Sequence, residues 1–181
     1  MPGNASCLLA GCLRRCQQLG VPVTRLVLTA SVSDQSASLF EKISVSEWLG
    51  AKMPCSTSRF GIGQMEGSNG TPLGLHRIAE KIGGGWPVGT VFKGRKSIGY
   101  TWRGMPDAKI TTRILWLEGL EPGLNRGGNV DSHARYIYIH GTADQTSIGK
   151  PTSCGCIHLA DTDLIPLFDL LPSGTLVWIE Q

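Results

Sequence analysis

At 181 residues the chain has the size of one domain with at most a short appendage. Its composition, 41% apolar and 17% charged, excludes a disordered polyelectrolyte, and no apolar run approaches the roughly 18 residues that cross a bilayer. The net charge of +3, with no basic run beyond Arg14-Arg15, excludes a nucleic-acid footprint and leaves only a mild attraction to anionic polymers. With 24 glycines and 10 prolines, the chain is expected to be rich in turns and mostly β.

The first segment, residues 1–22, reads as a helical arm. Leu8, Leu9, Cys12, Cys16 and Leu19 recur at spacings of three and four, which predicts an amphipathic helix from about Ala5 to Leu19, ended by Gly20 and Pro22. The string Leu9-Ala10-Gly11-Cys12 looks like a lipobox, but Arg14 and Arg15 follow the apolar patch, whereas a secretory leader has its charges in front.

Residues 23–181 read as the body, with no internal repeat and no linker. Arg25 to Val32, Ser36 to Glu41 and Ile43 to Trp48 carry β-type patterns, with turns at Ser33-Asp34 and Glu41-Lys42; Pro54 to Ser58 reads as one more short strand. Glycines 61, 63, 67, 70 and 74 punctuate a loop that lacks the lysine and the following helix of a nucleotide-binding site. Leu75 to Ile82, Thr90 to Lys93 and Ile110 to Glu118 are further strands, and the polar stretch Leu120 to Ser132 is a candidate lid or substrate rim. Arg135 to His140 is read as a strand, Ala160 to Leu171 as a helix capped near Asp161 or Thr162 with Pro166 in its first turns, and Thr175 to Ile179 as the closing strand.

Six cysteines do not form a disulfide framework in this pattern. Three crowd the arm, Cys55 stands alone, and Cys154 and Cys156 are separated by a single residue, too tight for an ordinary bridge. Reactive side chains concentrate instead in Ile139-His140-Gly141-Thr142 and Ser153-Cys154-Gly155-Cys156-Ile157-His158. A cysteine nucleophile works as thiolate and needs a neighbouring base, usually an imidazole from another strand. Gly155 lets the backbone turn sharply beside Cys156, freeing amides for a developing oxyanion.

Together with Ile148-Gly149-Lys150-Pro151, these two motifs resemble the active-site signature of the L,D-transpeptidase (YkuD-like) catalytic domain. Ser56-Thr57-Ser58, Gly70-Thr71-Pro72-x-Gly74 and Gly174-Thr175-x-Val177-x-Ile179 resemble the same family in the same order, from about Thr24 to Gln181. The resemblance implies a mostly β, β-sandwich-like catalytic fold with short helices. It implies a cysteine enzyme of the bacterial envelope or periplasm that acts on peptidoglycan stem peptides. Such enzymes open the bond after the third residue of a tetrapeptide, release D-alanine and pass the acyl group to an amine. Cys156 then corresponds to the nucleophile and His140 to its base. Gly141 supplies the main-chain carbonyl that orients the imidazole, a role expected to tolerate any side chain. Amides near Gly155 and Cys156 hold the oxyanion, Ser153 braces the turn, and Thr142, Cys154 and His158 line the substrate side. No cofactor, metal or nucleic acid is expected, and a monomer is the expected state.

Two positions depart from the family pattern: Cys154 stands where many members have histidine, and His158 where they have arginine. Histidine is charged only near or below a pKa of about 6.5, so His158 is expected to line the site but to grip anions weakly. Three other readings remain: a zinc site on Cys154, Cys156, His158 and His140, disfavoured by the one-residue gap; a non-catalytic peptidoglycan-binding module; and an L,D-carboxypeptidase or amidase, which shares the acyl-enzyme and differs in the acceptor. His76 is expected partly buried in a sheet, His133 on a solvated loop, and Cys55, the arm thiols and the dispersed tryptophans in packing roles.

Overall fold

The computed structural model describes residues 3–181, with side chains described from residue 6 onward. The chain opens with helix α1 (Gly3–Leu19). Gly20 ends it at φ 65°, where Val21 N–H donates to Cys16 O (2.9 Å) and Gly20 N–H to Gln17 O (3.3 Å), the paired bonds that close a helix through a left-handed glycine. The apolar stripe of α1 lies on the sheet: Leu9, Cys12 and Cys16 pack with Val27, Phe40, Leu75 and Leu176. Cys12, the end of the lipobox-like string, is thus fully buried here.

Ten strands follow: β1 (Leu26–Ser31), β2 (Ser36–Lys42), β3 (Trp48–Pro54), β4 (Gly74–Ile82), β5 (Thr90–Lys93), β6 (Lys96–Tyr100), β7 (Thr111–Gly119), β8 (Tyr138–Gly141), β9 (Ile157–Leu159) and β10 (Leu176–Glu180), with helix α2 (Asp161–Leu170) before the last. The main path runs β3-β2-β1-β10-β4-β7-β5-β6, and β8 and β9 branch from β7. Pairing is antiparallel except for β1 with β10 and β8 with β9. Strand β7 is the fork. It pairs with β4, with β5 at Val91↔Thr111, and with β8, and its register slips between Thr111 and Ile114, where Thr112 has φ 68°.

The two-residue period of the strands sorts their side chains between two faces. Val27, Leu75 and Leu176 face the arm, while Leu28, Ala30, Val177 and Ile179 join Leu115, Leu117, Ile139, Ile157, Leu159, Leu164 and Phe168 in the main core. With both faces covered, every residue of β1 is buried. The structure is mostly β, as expected, and α1 shares an apolar layer with the sheet.

Several local expectations are corrected. Residues 43–47 are a hairpin loop in which Ile43 and Ser44 N–H both donate to Glu47 O; Val45 is 93% exposed there, so its apolar alternation reports no buried face. Pro54 ends β3, and residues 55–58 after it form only isolated bridges, Ser56 with His158 and Ser58 with Ser153; β6 forms from the polar sequence Lys96-Ser97, which carries little pattern. Strand β8 starts three residues later than expected because Tyr136 takes a left-handed φ of 58°. Helix α2 has Ala160 at its N-cap with no side-chain cap, and runs through Pro166.

The stretch from 120 to 132 is held in place rather than left as a lid. Asn125 Nδ2 donates to Leu73 O (3.0 Å) and Leu75 O (3.1 Å), His76 Nε2 lies 2.9 Å from Ser132 Oγ, and Leu75 N–H donates to Glu121 Oε1 (2.6 Å). Glu121 is 2% exposed and is paired with Arg15 of the arm. His76 is fully buried, and His133 is not free on a loop: it stacks on Trp116 at 3.9 Å.

Candidate active site

Strand register assembles the reactive residues. The parallel pairing of β8 with β9 sets His140 beside His158 and Ile139 beside Ile157, so Tyr138 and the residue before β9, Cys156, are also neighbours. Alternate residues share a face, and Tyr138, His140, Cys156 and His158 therefore belong to one side of this two-strand unit. The contacts agree: Tyr138 N–H lies 3.4 Å from Cys156 Sγ, and the His140 and His158 rings are 4.6 Å apart. His140, Cys154, Cys156, His158 and Ser153 line one cleft of about 300 Å³ with Arg59, Lys109, Ile110 and Thr152.

The turn carrying Cys156 is fixed by hydrogen bonds from small polar residues. Ser153 Oγ donates to Cys156 O (2.6 Å) and accepts from Gly155 N–H (3.2 Å). Gly155 has φ 116°, and a Cβ there would sit 3.2 Å from Gly70 O, so both conformation and space favour glycine. Beneath the turn, Thr57 O accepts the amides of Thr152 and Ser153, and Ser56 Oγ donates to Ser147 O (2.8 Å). The buried Ser56-Thr57-Ser58 motif is thus a bracket for the turn, set away from the cleft surface.

His140 is 2% exposed, and its Nδ1 lies 2.7 Å from Gly141 O. A carbonyl only accepts, so in the neutral ring Nδ1 carries the proton and Nε2 keeps its lone pair. The expectation that position 141 tolerates any side chain is corrected. A Cβ on Gly141 would meet Asp161 Oδ1 at 2.7 Å and Thr111 O at 2.9 Å, so the strand is too closely packed for one. Thr142 is also buried and accepts Asp144 N–H (3.3 Å); it is not part of the cleft lining.

Burial sets the resting protonation. The Cys156 thiol is pushed up to about 11 by burial, against the opposing pull of Tyr138 N–H and the Arg135 guanidinium. Burial, with His158 beside it, lowers His140 to about 3, and burial with nearby Lys109 lowers His158 to about 4. Near neutral pH the thiol and both imidazoles are uncharged. His158, whose Nδ1 is buried without a hydrogen-bond partner, offers no positive charge in place of an arginine.

Arg135 was not singled out in the sequence. Its NH1 donates to Gln64 O (2.6 Å) and its NH2 to Gly70 O (2.9 Å), pinning the glycine-rich loop against the Gly155 turn. It lines a smaller cavity of about 140 Å³ with Glu66, Asn69, Tyr136 and Cys154. Exposed Cys154 lines both cavities. Among the described residues no group of three His, Cys, Asp or Glu side chains is arranged to hold a metal ion.

The sequence profile of the L,D-transpeptidase catalytic domain (YkuD) matches residues 27–179. The chain belongs to this family. A Bacillus subtilis (strain 168) protein bearing the name L,D-transpeptidase YkuD is 46% identical over 43 residues, 24% of this chain and 26% of its own length. Bd1075 of Bdellovibrio bacteriovorus is similar in fold over 88% of this chain and 48% of its own, with a TM-score of 0.54 and 14% identity. L,D-transpeptidase 3 of Mycobacterium tuberculosis, in complex with a faropenem-derived adduct, aligns over 87% of this chain and 60% of its own, with a TM-score of 0.51 and 15% identity. This chain therefore spans well under two thirds of the proteins it matches, and it carries the catalytic-domain fold.

Proposed function

We propose that the chain is a peptidoglycan L,D-transpeptidase in which Cys156 is the nucleophile and His140 its general base. The observation that carries this reading is the orientation of His140. With Nδ1–H committed to Gly141 O, the ring's only basic nitrogen is Nε2, in a cleft whose wall also holds Cys156.

Because thiol and imidazole are both neutral at rest, proton transfer accompanies attack. As the sulfur adds to the carbonyl of the third residue of a stem tetrapeptide, the thiol proton passes to His140 Nε2. The Cys156 amide stabilises the oxyanion; the Gly155 amide is already engaged by Ser153 Oγ. When the C–N bond breaks, His140 returns the proton to the departing amine of D-alanine, leaving a thioester. An incoming amine then attacks the thioester and gives its proton to His140, which protonates the departing sulfur. Water in the same place makes the reaction a carboxypeptidase step. A peptidoglycan substrate implies a cell-envelope location.

The test is to incubate the protein with a disaccharide tetrapeptide and follow intact mass. The expected result is a covalent adduct of the donor minus D-alanine, absent in Cys156→Ala and formed at least about a hundredfold more slowly in His140→Ala. An adduct that survives Cys156→Ala refutes the assignment.

A further inference from the structure

The cleft carries a charge pattern that the acyl transfer itself leaves unused. Of its nine lining residues two are cations, Arg59 and Lys109, and none is a carboxylate. Both are exposed, and neither takes part in an ion pair among the described residues. They arrive from separate segments. Arg59 N–H donates to Ser153 O (3.1 Å), which ties its backbone to the nucleophile turn, and its guanidinium leans over the exposed Phe60 ring at 5.0 Å. Lys109 lies just before β7 and is near enough to His158 to help hold that imidazole neutral. With His140 and His158 uncharged, Arg59 and Lys109 are the charged side chains of the cleft lining, Arg135 acting on Cys156 from beside it and the Asp144 carboxylate lying near Lys109.

Arg59 and Lys109 make no ion pair among the described residues, whereas Arg135 is committed in part to the carbonyls of Gln64 and Gly70. Position 158 supplies no charge. The anion of the donor peptide nearest the reaction is fixed by its chemistry. In a stem tetrapeptide cleaved after the third residue, the leaving D-residue carries a free carboxylate one residue beyond the scissile carbonyl. One residue spans at most about 3.6 Å of chain, so that carboxylate stays inside the cleft that holds Cys156.

We propose that Arg59 and Lys109 grip the terminal carboxylate of the donor peptide, making the site selective for donors ending in a free acid. The inference rests on the transpeptidase reading and deepens it. Two cations lining one cleft from separate segments favour a carboxylate over an amide of the same shape, because only the charged group gains from both. Since the contact is made to the bound donor before and during attack, its loss appears mainly in KM.

The test compares two donors, a disaccharide tetrapeptide ending in D-alanine and the same molecule ending in D-alaninamide, on the wild type, Arg59→Gln/Lys109→Gln and Arg59→Lys. Wild type is expected to prefer the free acid by about tenfold or more in kcat/KM, a preference that narrows as salt rises. In the double glutamine variant the ratio collapses toward one, while Arg59→Lys keeps most of it. Lack of discrimination by the wild type, or equal losses on both donors in the double variant, overturns the proposal. So does a donor amidated only at the third residue's side chain showing the larger defect. Calorimetric binding of both donors to Cys156→Ala separates this from the chemistry. Discrimination in binding with no adduct in the wild type sinks the transpeptidase reading alone. Adduct formation without discrimination sinks the carboxylate assignment alone. Absence of both sinks both.

Discussion

Resting thiol reactivity is the sharpest measure of how this site works. A preformed thiolate-imidazolium pair gives alkylation that is fast and flat across neutral pH. Here burial holds Cys156 near 11 and His140 near 3, so the uncharged pair dominates throughout that range. At pH 7 the thiolate fraction is about one in ten thousand, four powers of ten below the pKa. Alkylation of Cys156 by iodoacetamide is therefore expected to rise about tenfold per pH unit from 7 to 10, without a plateau. The experiment uses a Cys154→Ser background, because Cys154 is exposed in the same cleft, and reads the modified peptide by mass. His140→Ala should leave this slope in place, since the imidazole acts only once a carbonyl is being attacked. A pH-independent rate between 5 and 9 that is lost in His140→Ala refutes the reasoning and shows a standing ion pair.

Two further outcomes follow from burial and packing. His76, His140 and His158 all titrate well below their ordinary value, at about 4, 3 and 4. A depressed histidine contributes stability that is present above the unfolded pKa of about 6.5 and lost as pH falls toward the folded one, because the unfolded chain takes up the protons first. Melting temperature should hold above pH 7 and fall steeply between pH 6 and 4. The fall should lessen in His76→Gln, whose fully buried ring sits beside Ser132 and is not part of the cleft lining; an unchanged profile in that variant argues against the burial account. Gly141→Ala forces a Cβ against Asp161 and Thr111. It is expected to cost about 1–3 kcal/mol in chemical denaturation and to slow adduct formation through displacement of the carbonyl that holds His140. Full stability and activity in that variant would show that the strand relaxes freely.

Much of this arrangement was legible in the residues. The spacing of Leu9, Cys12 and Cys16 gives the arm, and the Leu, Val and Thr content of β1 with the alternation of β2 points to the sheet. The reactive motifs from Ile139 to His158 point to the chemistry of the site. What was not legible depends on contacts distant in sequence. Ile43 and Val45 alternate like a strand but have no face to bury, and β6 exists because β5 pairs with it. Arg135 looks like any surface arginine until the 64–70 loop folds onto it, and the need for glycine at 141 arises from Asp161, twenty residues on. Arg59 and Lys109 carry no motif of their own; a cation directly after Ser56-Thr57-Ser58 was the available hint.

The order β2-β1-β10-β4 places β10 between partners that precede it in the chain by more than 90 residues. Until residues 176–180 emerge, β1 and β4 present open edges to one another and the central layer is unfinished. Completion of the central layer is thus deferred until β10 is available. Deletion of residues 176–180 would remove a central strand, an injury that no repacking of the margins repairs.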